Sequence, residues 1–368
     1  MKKHYFLGLN ARRRHAWRHL FTIGRKSDFL ALSSALESKY GGKAVLCKNG
    51  RSGLAMALKA YFKPGDGIII NGFTCYAVVE AVKAAGCVPI YADINRETLN
   101  FDINTLESAS YDSRVRGVII QNTLGIPVDI EAVEKFAKKH TLVIIEDLAH
   151  LVGVKYPDGR EVGTVGAATA LSFGKDKAID TISGGAVILR DENGISIKPY
   201  SLPTTPPRLS DATRARFYPL FTGAVRGLAR VHLGGVLMRL LLKLHWVEKS
   251  ADNALDLSCT LTKAEAHEAL SQLPHAKGVD REFYLVRDRG ECLRELKRAG
   301  YHFDGFWYEK PVSPERYYKK VHFPEENCKE AVFVAEHIVN FPTYYTKSEL
   351  DGARTIVKKY LLEEGERE

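Results

Sequence analysis

Between residues 44 and 190, seven short apolar runs alternate with amphipathic stretches, and this alternation restricts the fold more than any other feature of the chain. The runs are "AVLC", "GIIIN", "VPIYAD", "VRGVIIQ", "LVIIED", "ATALSF" and "GGAVIL". Among them lie "SGLAMALKAYF", "YAVVEAVKAAG" and "IEAVEKFAKKH", whose apolar residues recur at the spacing of one helix face. Strands apolar on both faces and separated by helices imply an α/β fold, with a mostly parallel sheet buried between helical layers.

A chain of 368 residues outgrows a single core, so a large domain with a smaller one attached is expected. Residues 1–43 read as a helical preamble, in which "DFLALSSALESKYGG" ends on a glycine stop. Residues 44–200 form the large α/β domain, and residues 201–255 a basic, apolar helical insert. The Pro-rich "KPYSLPTTPPRLSD" leads into that insert, whose helix over 214–247 breaks near Gly234-Gly235. Residues 256–368 read as a smaller α+β domain, with short strands such as "AEHIVNFPTYY" between helices.

Composition narrows the function. Cys47, Cys75, Cys87, Cys259, Cys292 and Cys328 show no paired spacing, so neither a metal site nor a disulfide framework is expected, and a reducing cytoplasm is the natural setting. The basic N-terminus lacks the apolar run of a secretory signal, and no uninterrupted segment reaches the roughly 20 apolar residues of a membrane span. The net charge is +9, and residues 1–27 and 212–247 contain no Asp or Glu, which favours anionic partners. No nucleic-acid recognition motif accompanies that charge, so nucleic acid is not expected as a partner.

In an open parallel sheet, ligands bind at the carboxyl ends of the strands. Polar residues follow four of the runs there: "KNGRSG", "GFTCYAV", Glu146-Asp147 and "GKDK". "NGRSGLAMAL" is a turn opening a helix, a place that holds a phosphate or is an ordinary N-cap built on Ser52. A strand-end Asp is often a structural cap, but beside a pyridine-type nitrogen it would keep that nitrogen protonated. Of the lysines in "SFGKDKAIDTISGG", either is by default a snorkelling side chain, although a partly desolvated lysine readily adds to a carbonyl.

The ordered series "NGRSGLAMAL…KPGDGIIINGFTCYAVVEAV…AGCVPIYADIN…GIPVDIEAV…LVIIEDLAH…SFGKDKAIDTISGGAVIL…NFPTYY" resembles the DegT/DnrJ/EryC1/StrS sugar aminotransferases, of fold type I among the pyridoxal 5'-phosphate (PLP) enzymes. The resemblance spans about residues 28–190, and returns weakly near 258–273 and 325–362. It implies PLP as cofactor, with Lys177 and not Lys175 as the Schiff-base lysine, because the family's lysine stands five residues after the serine and seven before the Gly-Gly pair. It also implies Asp147 as partner of the ring nitrogen. The phosphate turn falls on Asn49, Gly50 and Arg51, with Ser52 next and Ser172 contributing; Tyr76, beside Cys75, is the ring-stacking candidate. Where the family has a glutamine this chain has His150, its "GEGG" is "ISGG" with Ser183 in the acidic position, and its "NYR" triplet is Ser258-Cys259-Thr260. Arg51 offers a positive charge at the phosphate turn in place of the missing arginine.

The resemblance implies amine transfer from a donor such as glutamate to a keto-sugar nucleotide for surface glycan synthesis, in a homodimer. A PLP-dependent sugar dehydratase is the alternative, against which Lys177 stands, since that branch carries histidine there; a non-catalytic sensor or membrane-surface scaffold is another. Residues 212–247 are left unexplained by the family. Leu233, Leu237, Leu240, Leu241 and Leu244 would form one apolar helix stripe, with Arg226, Arg230, Arg239 and Lys243 as like-charge pairs. Such a helix packs on its own protein or draws it to the anionic inner face of the membrane, with Trp246 at the boundary.

Overall fold

The computed structural model describes residues 4–5, 20–175, 177–191, 202–229, 233–247, 254–278, 282–302, 308–341 and 347–363. All seven apolar runs are strands: β1 (Lys43–Cys47), β2 (Gly67–Asn71), β3 (Val88–Ala92), β4 (Val115–Ile120), β5 (Val143–Asp147), β6 (Ala168–Ser172) and β7 (Gly185–Leu189). They form one sheet in the order β1-β7-β6-β5-β4-β2-β3. β7 alone runs antiparallel to both neighbours, β1 and β6. Its start therefore lies at the edge where the other six strands end, and one rim collects all the strand-terminal polar residues.

Alternation along each strand divides the core into two layers. On one face, Leu46, Ile69, Val118, Ile120, Leu171 and Ile188 pack under α1 (Lys26–Tyr40). On the other, Val45, Ile68, Ile70, Ile119, Ile145 and Val187 pack under α2 (Gly50–Tyr61) and α3 (Tyr76–Ala84). Helices α4 (Ile103–Ser110) and α5 (Ile130–Lys139) complete the connections, each opened by an Asp cap.

The insert folds back on itself. Helix α6 (Leu209–Ala229) and helix α7 (Gly234–Lys243) share an apolar cluster of Tyr218, Val225, Leu241 and Val247, which rests on Ile182 of the large body. The glycine pair thus begins the second helix. The five leucines do not act as one stripe: Leu237 and Leu241 face α6, whereas Leu233, Leu240 and Leu244 stay about half exposed, as does Val236. Arg230 and the Arg226 side chain lie outside the described residues. Among the described residues no helix is long and apolar enough to cross a membrane.

Helix α8 (Lys263–Gln272) follows the boundary expected at residue 256, yet Ala266 and Ala269 join Leu32 and Leu36 in the first core layer. Beyond it, α9 (Arg289–Arg298), α10 (Lys329–His337) and α11 (Lys347–Lys358) accompany the antiparallel pair Phe283–Leu285 and Ile338–Asn340. The stretch read as the strand "AEHIVNFPTYY" is in fact the end of α10 followed by a strand over Ile338–Asn340, and residues 342–345 lie outside the described part.

Candidate active site

At the rim, β1 ends in Cys47 and the chain turns through Lys48 and Asn49 into α2. Asn49 caps that helix, its Oδ1 accepting hydrogen bonds from the Ser52 amide and hydroxyl, each 2.9 Å. Ser52 Oγ in turn accepts from the Asp256 amide at 3.0 Å. Ser52, buried under the turn, thus braces it and is not on the cavity wall. The turn presses on β6: a Cβ added at Gly50 would lie 2.6 Å from the Ser172 Cβ, so only glycine fits.

A cavity of ≈140 Å³ opens in front of this turn. Its walls include Gly50, Arg51, Asp147, His150, Ser172 and Lys177, six of the eight residues expected in the site. Asp147 is buried, its Oδ1 accepting from the Ala149 amide at 2.9 Å. Burial pushes its carboxyl above the ordinary carboxylate range, and the Ala149 N–H and the Lys177 charge pull it part of the way back. His150 Nδ1 accepts from the Leu124 amide at 3.2 Å, which leaves Nε2 to carry the proton of the neutral ring.

Three expectations need correction. The Tyr76 ring is not on the cavity wall; it stacks on Tyr317 at 4.2 Å, while Cys75 and Ala77 from the same stretch do line the cavity. Arg51 is no unbalanced cation, because its guanidinium pairs with Glu80 of α3. Lys175 does not snorkel: it is 7% exposed, with its ammonium 3.9 Å from the centre of the Tyr218 ring.

Other residues appear that the sequence did not single out. Gln121 follows β4 onto the cavity wall, and its Oε1 accepts from the Thr74 hydroxyl at 2.8 Å. Tyr308 reaches the wall from the C-terminal part, 4.8 Å from Phe73 ring to ring. Glu265 brings a carboxyl to the place where "ISGG" lacks one, accepting from the Ser183 hydroxyl at 2.8 Å. The motif "TKAE" signals it, since Thr262 and Glu265 form a capping box at the start of α8. Burial pushes the Glu265 carboxyl up, against the opposing pull of the Thr262 and Ser183 hydrogen bonds. Ser258-Cys259-Thr260 runs beside the turn, the Cys259 carbonyl accepting from the Lys48 amide at 2.9 Å.

Comparison with known proteins relates the chain to one family. Residues 24–198 match the model of the DegT/DnrJ/EryC1/StrS aminotransferase family, so the resemblance read from the sequence holds over those residues. A pleiotropic regulatory protein of Geobacillus stearothermophilus is 33% identical over 174 residues, 47% of this chain and 45% of that protein. GDP-perosamine synthase of Escherichia coli O157:H7 is 33% identical over 150 residues, 40% of this chain and 41% of that enzyme. The matched stretch thus spans less than half the length of these curated relatives. In fold, the chain is similar to a DegT DnrJ EryC1 StrS aminotransferase from Brucella abortus, with TM-score 0.68 and 17% identity over 96% of this chain and 99% of that one.

Proposed function

We propose that this chain is a PLP-dependent aminotransferase of the DegT/DnrJ/EryC1/StrS family, moving an amino group from glutamate or a similar donor to a nucleotide-linked keto-sugar. The observation that carries the reading is the pairing of Lys177 with the buried Asp147 across one cavity walled by the first turn of α2.

The residues present fit the cofactor. The Gly50 turn, which has no room for a side chain, and the Ser172 hydroxyl beside it suit the phosphate, held by backbone amides and the helix dipole. Asp147 would hold the ring nitrogen in its protonated form, and His150 would donate from Nε2 to the ring oxygen. Bound PLP supplies an electron sink for the carbon that loses its proton. Lys177 would anchor the cofactor, and its amine would move the proton at the donor's α-carbon. Lys177 also favours amine transfer over the dehydratase alternative.

The reading extends to partners. A homodimer and a peripheral contact with anionic membrane are proposed with it; exposed Leu233, Val236, Leu240, Leu244 and Trp246, within the acid-free stretch 212–247, support the latter. Borohydride treatment of the purified protein tests the central assignment. A visible absorbance band should bleach, with the cofactor fixed on the peptide containing Lys177; fixation elsewhere, or no band after addition of PLP, contradicts it.

A further inference from the structure

We propose that Ile182 is a positioning residue for Lys177, held in a strained backbone conformation by the helical insert, so that the insert is part of the catalytic apparatus. The role given to Lys177 rests on the amine-transfer reading; the clamp itself does not. The loop between β6 and β7 carries Lys177, and Ile182 stands in it just before Ser183 and Gly184, with φ 72°. In that left-handed region the Cβ of a β-branched residue crowds the backbone, so the conformation persists only where the surroundings over-determine it.

Two sets of contacts do so. Helix α8 holds the backbone on either side of Ile182. The Asp180 amide donates to Gln272 Oε1 at 2.9 Å, Gln272 Nε2 donates to the Asp180 carbonyl at 3.0 Å, and the Ser183 hydroxyl donates to Glu265 at 2.8 Å. Within the turn, the Ile182 amide donates to Asp180 Oδ1 at 3.0 Å and the Thr181 amide to the Phe173 carbonyl at 2.9 Å. The insert holds the side chain, since Ile182 is buried in the cluster of Tyr218, Val225, Leu241 and Val247. Rotation to an ordinary negative φ would swing either that side chain out of the cluster or the flanking backbone off α8. The insert touches the same loop again on the other side of Lys177, where the Lys175 ammonium lies 3.9 Å from the centre of the Tyr218 ring. Lys177 is therefore bracketed by two contacts with the insert, whose residues lie beyond the family match that ends at 198. A long lysine side chain reaches a reacting carbon only as accurately as its own backbone is held, which gives the bracket its consequence for catalysis.

Hydrogen exchange read by mass spectrometry on the PLP-loaded protein, together with the glutamate half-reaction measured per bound PLP, tests this. Leu241→Ala, Val225→Ala and Ile182→Gly should each speed exchange in the peptide spanning residues 174–185 by about tenfold or more, with the peptides of β2, β4 and β5 unchanged. The maximal half-reaction rate should fall by about tenfold or more at an unchanged half-saturating glutamate concentration. Glycine takes this φ freely but offers the insert nothing to hold, so Ile182→Gly with Leu241→Ala should be no worse than Ile182→Gly alone. Ile182→Val keeps the apolar anchor and should stay within about threefold of the parent. Leu209→Ala, exposed at the start of α6, should match the parent chain. Parental exchange in the loop, faster exchange with a parental half-reaction rate, or multiplied effects in the double variant overturns the proposal. Because exchange is read without turnover, a parent chain that gives the expected exchange pattern but converts no amino acid would contradict the amine-transfer reading and leave the clamp standing.

Discussion

Glu146 and Asp147 end β5 side by side, and strand geometry sends neighbouring side chains to opposite faces. Asp147 reaches the cavity; Glu146 turns the other way and accepts hydrogen bonds from the Tyr156 hydroxyl and the Gly163, Val165 and Gly166 amides. Asp147→Asn should slow proton abstraction by a barrier on the order of 3 kcal/mol, the scale of losing one preorganised charge, and weaken PLP binding in a spectral titration. The cofactor-free variant should also be more stable than the parent. Burial raises the Asp147 pKa, so its favourable contribution is present in acid and is lost as pH rises through the raised value, whereas Asn loses nothing. The melting-temperature gain should therefore grow from acid toward neutral pH; a gain that shrinks would show that the buried carboxylate is fully compensated. Lys177→Ala should abolish turnover with an unchanged circular dichroism spectrum, and residual activity near the parent level would remove Lys177 from the mechanism.

At the level of elements, two rigid junctions hold the sheet, one at the edge opposite the site and one at the Gly50 turn. Glu146 from β5 and Arg190 after β7 clamp the loop before β6 from both sides, Arg190 donating to the Gly163 and Gly166 carbonyls at 2.6 Å each. Glu146→Gln turns an acceptor into a donor facing an amide, and should cost about 3 kcal/mol in urea unfolding. A change under about 0.5 kcal/mol, the scale of ordinary surface substitutions, would mean the loop is held otherwise. Gly50→Ala should cost about 1–3 kcal/mol by overpacking against Ser172 and weaken PLP binding with it. The strands, the α2 turn and Asp147 were legible in the sequence because period and chain order reveal them. Tyr76 was not: its neighbours line the cavity, but the helix turn carries its ring to Tyr317, a contact some 240 residues away along the chain. Glu265 meets Ser183 across 82 residues and Tyr308 comes from the C-terminal part; the capping box marks Glu265 at a helix start, but local pattern does not say what either residue meets. The antiparallel setting of β7 was likewise hidden, since an apolar run reads the same in either direction.

Across the whole molecule, the part matched by the family ends at residue 198, and the insert that follows supplies both an exposed apolar face and a cationic surface. Each basic residue near an anionic surface adds about 1 kcal/mol, so Arg239→Gln with Lys243→Gln should reduce sedimentation with anionic vesicles roughly thirtyfold at low salt. If the parent chain stays in the supernatant, the face serves another purpose. More narrowly, Lys177, Asp147 and the Gly50 turn are proposed to act together on an amino-acid donor. The most direct measurement incubates the PLP-loaded protein with excess ¹⁵N-glutamate and no acceptor, then analyses 2-oxoglutarate and the released cofactor by mass spectrometry. One 2-oxoglutarate per chain and one ¹⁵N carried on the cofactor are expected, both lost in Lys177→Ala; unlabelled cofactor and no 2-oxo acid across a panel of ¹⁵N-labelled amino-acid donors would contradict the joint role of these residues.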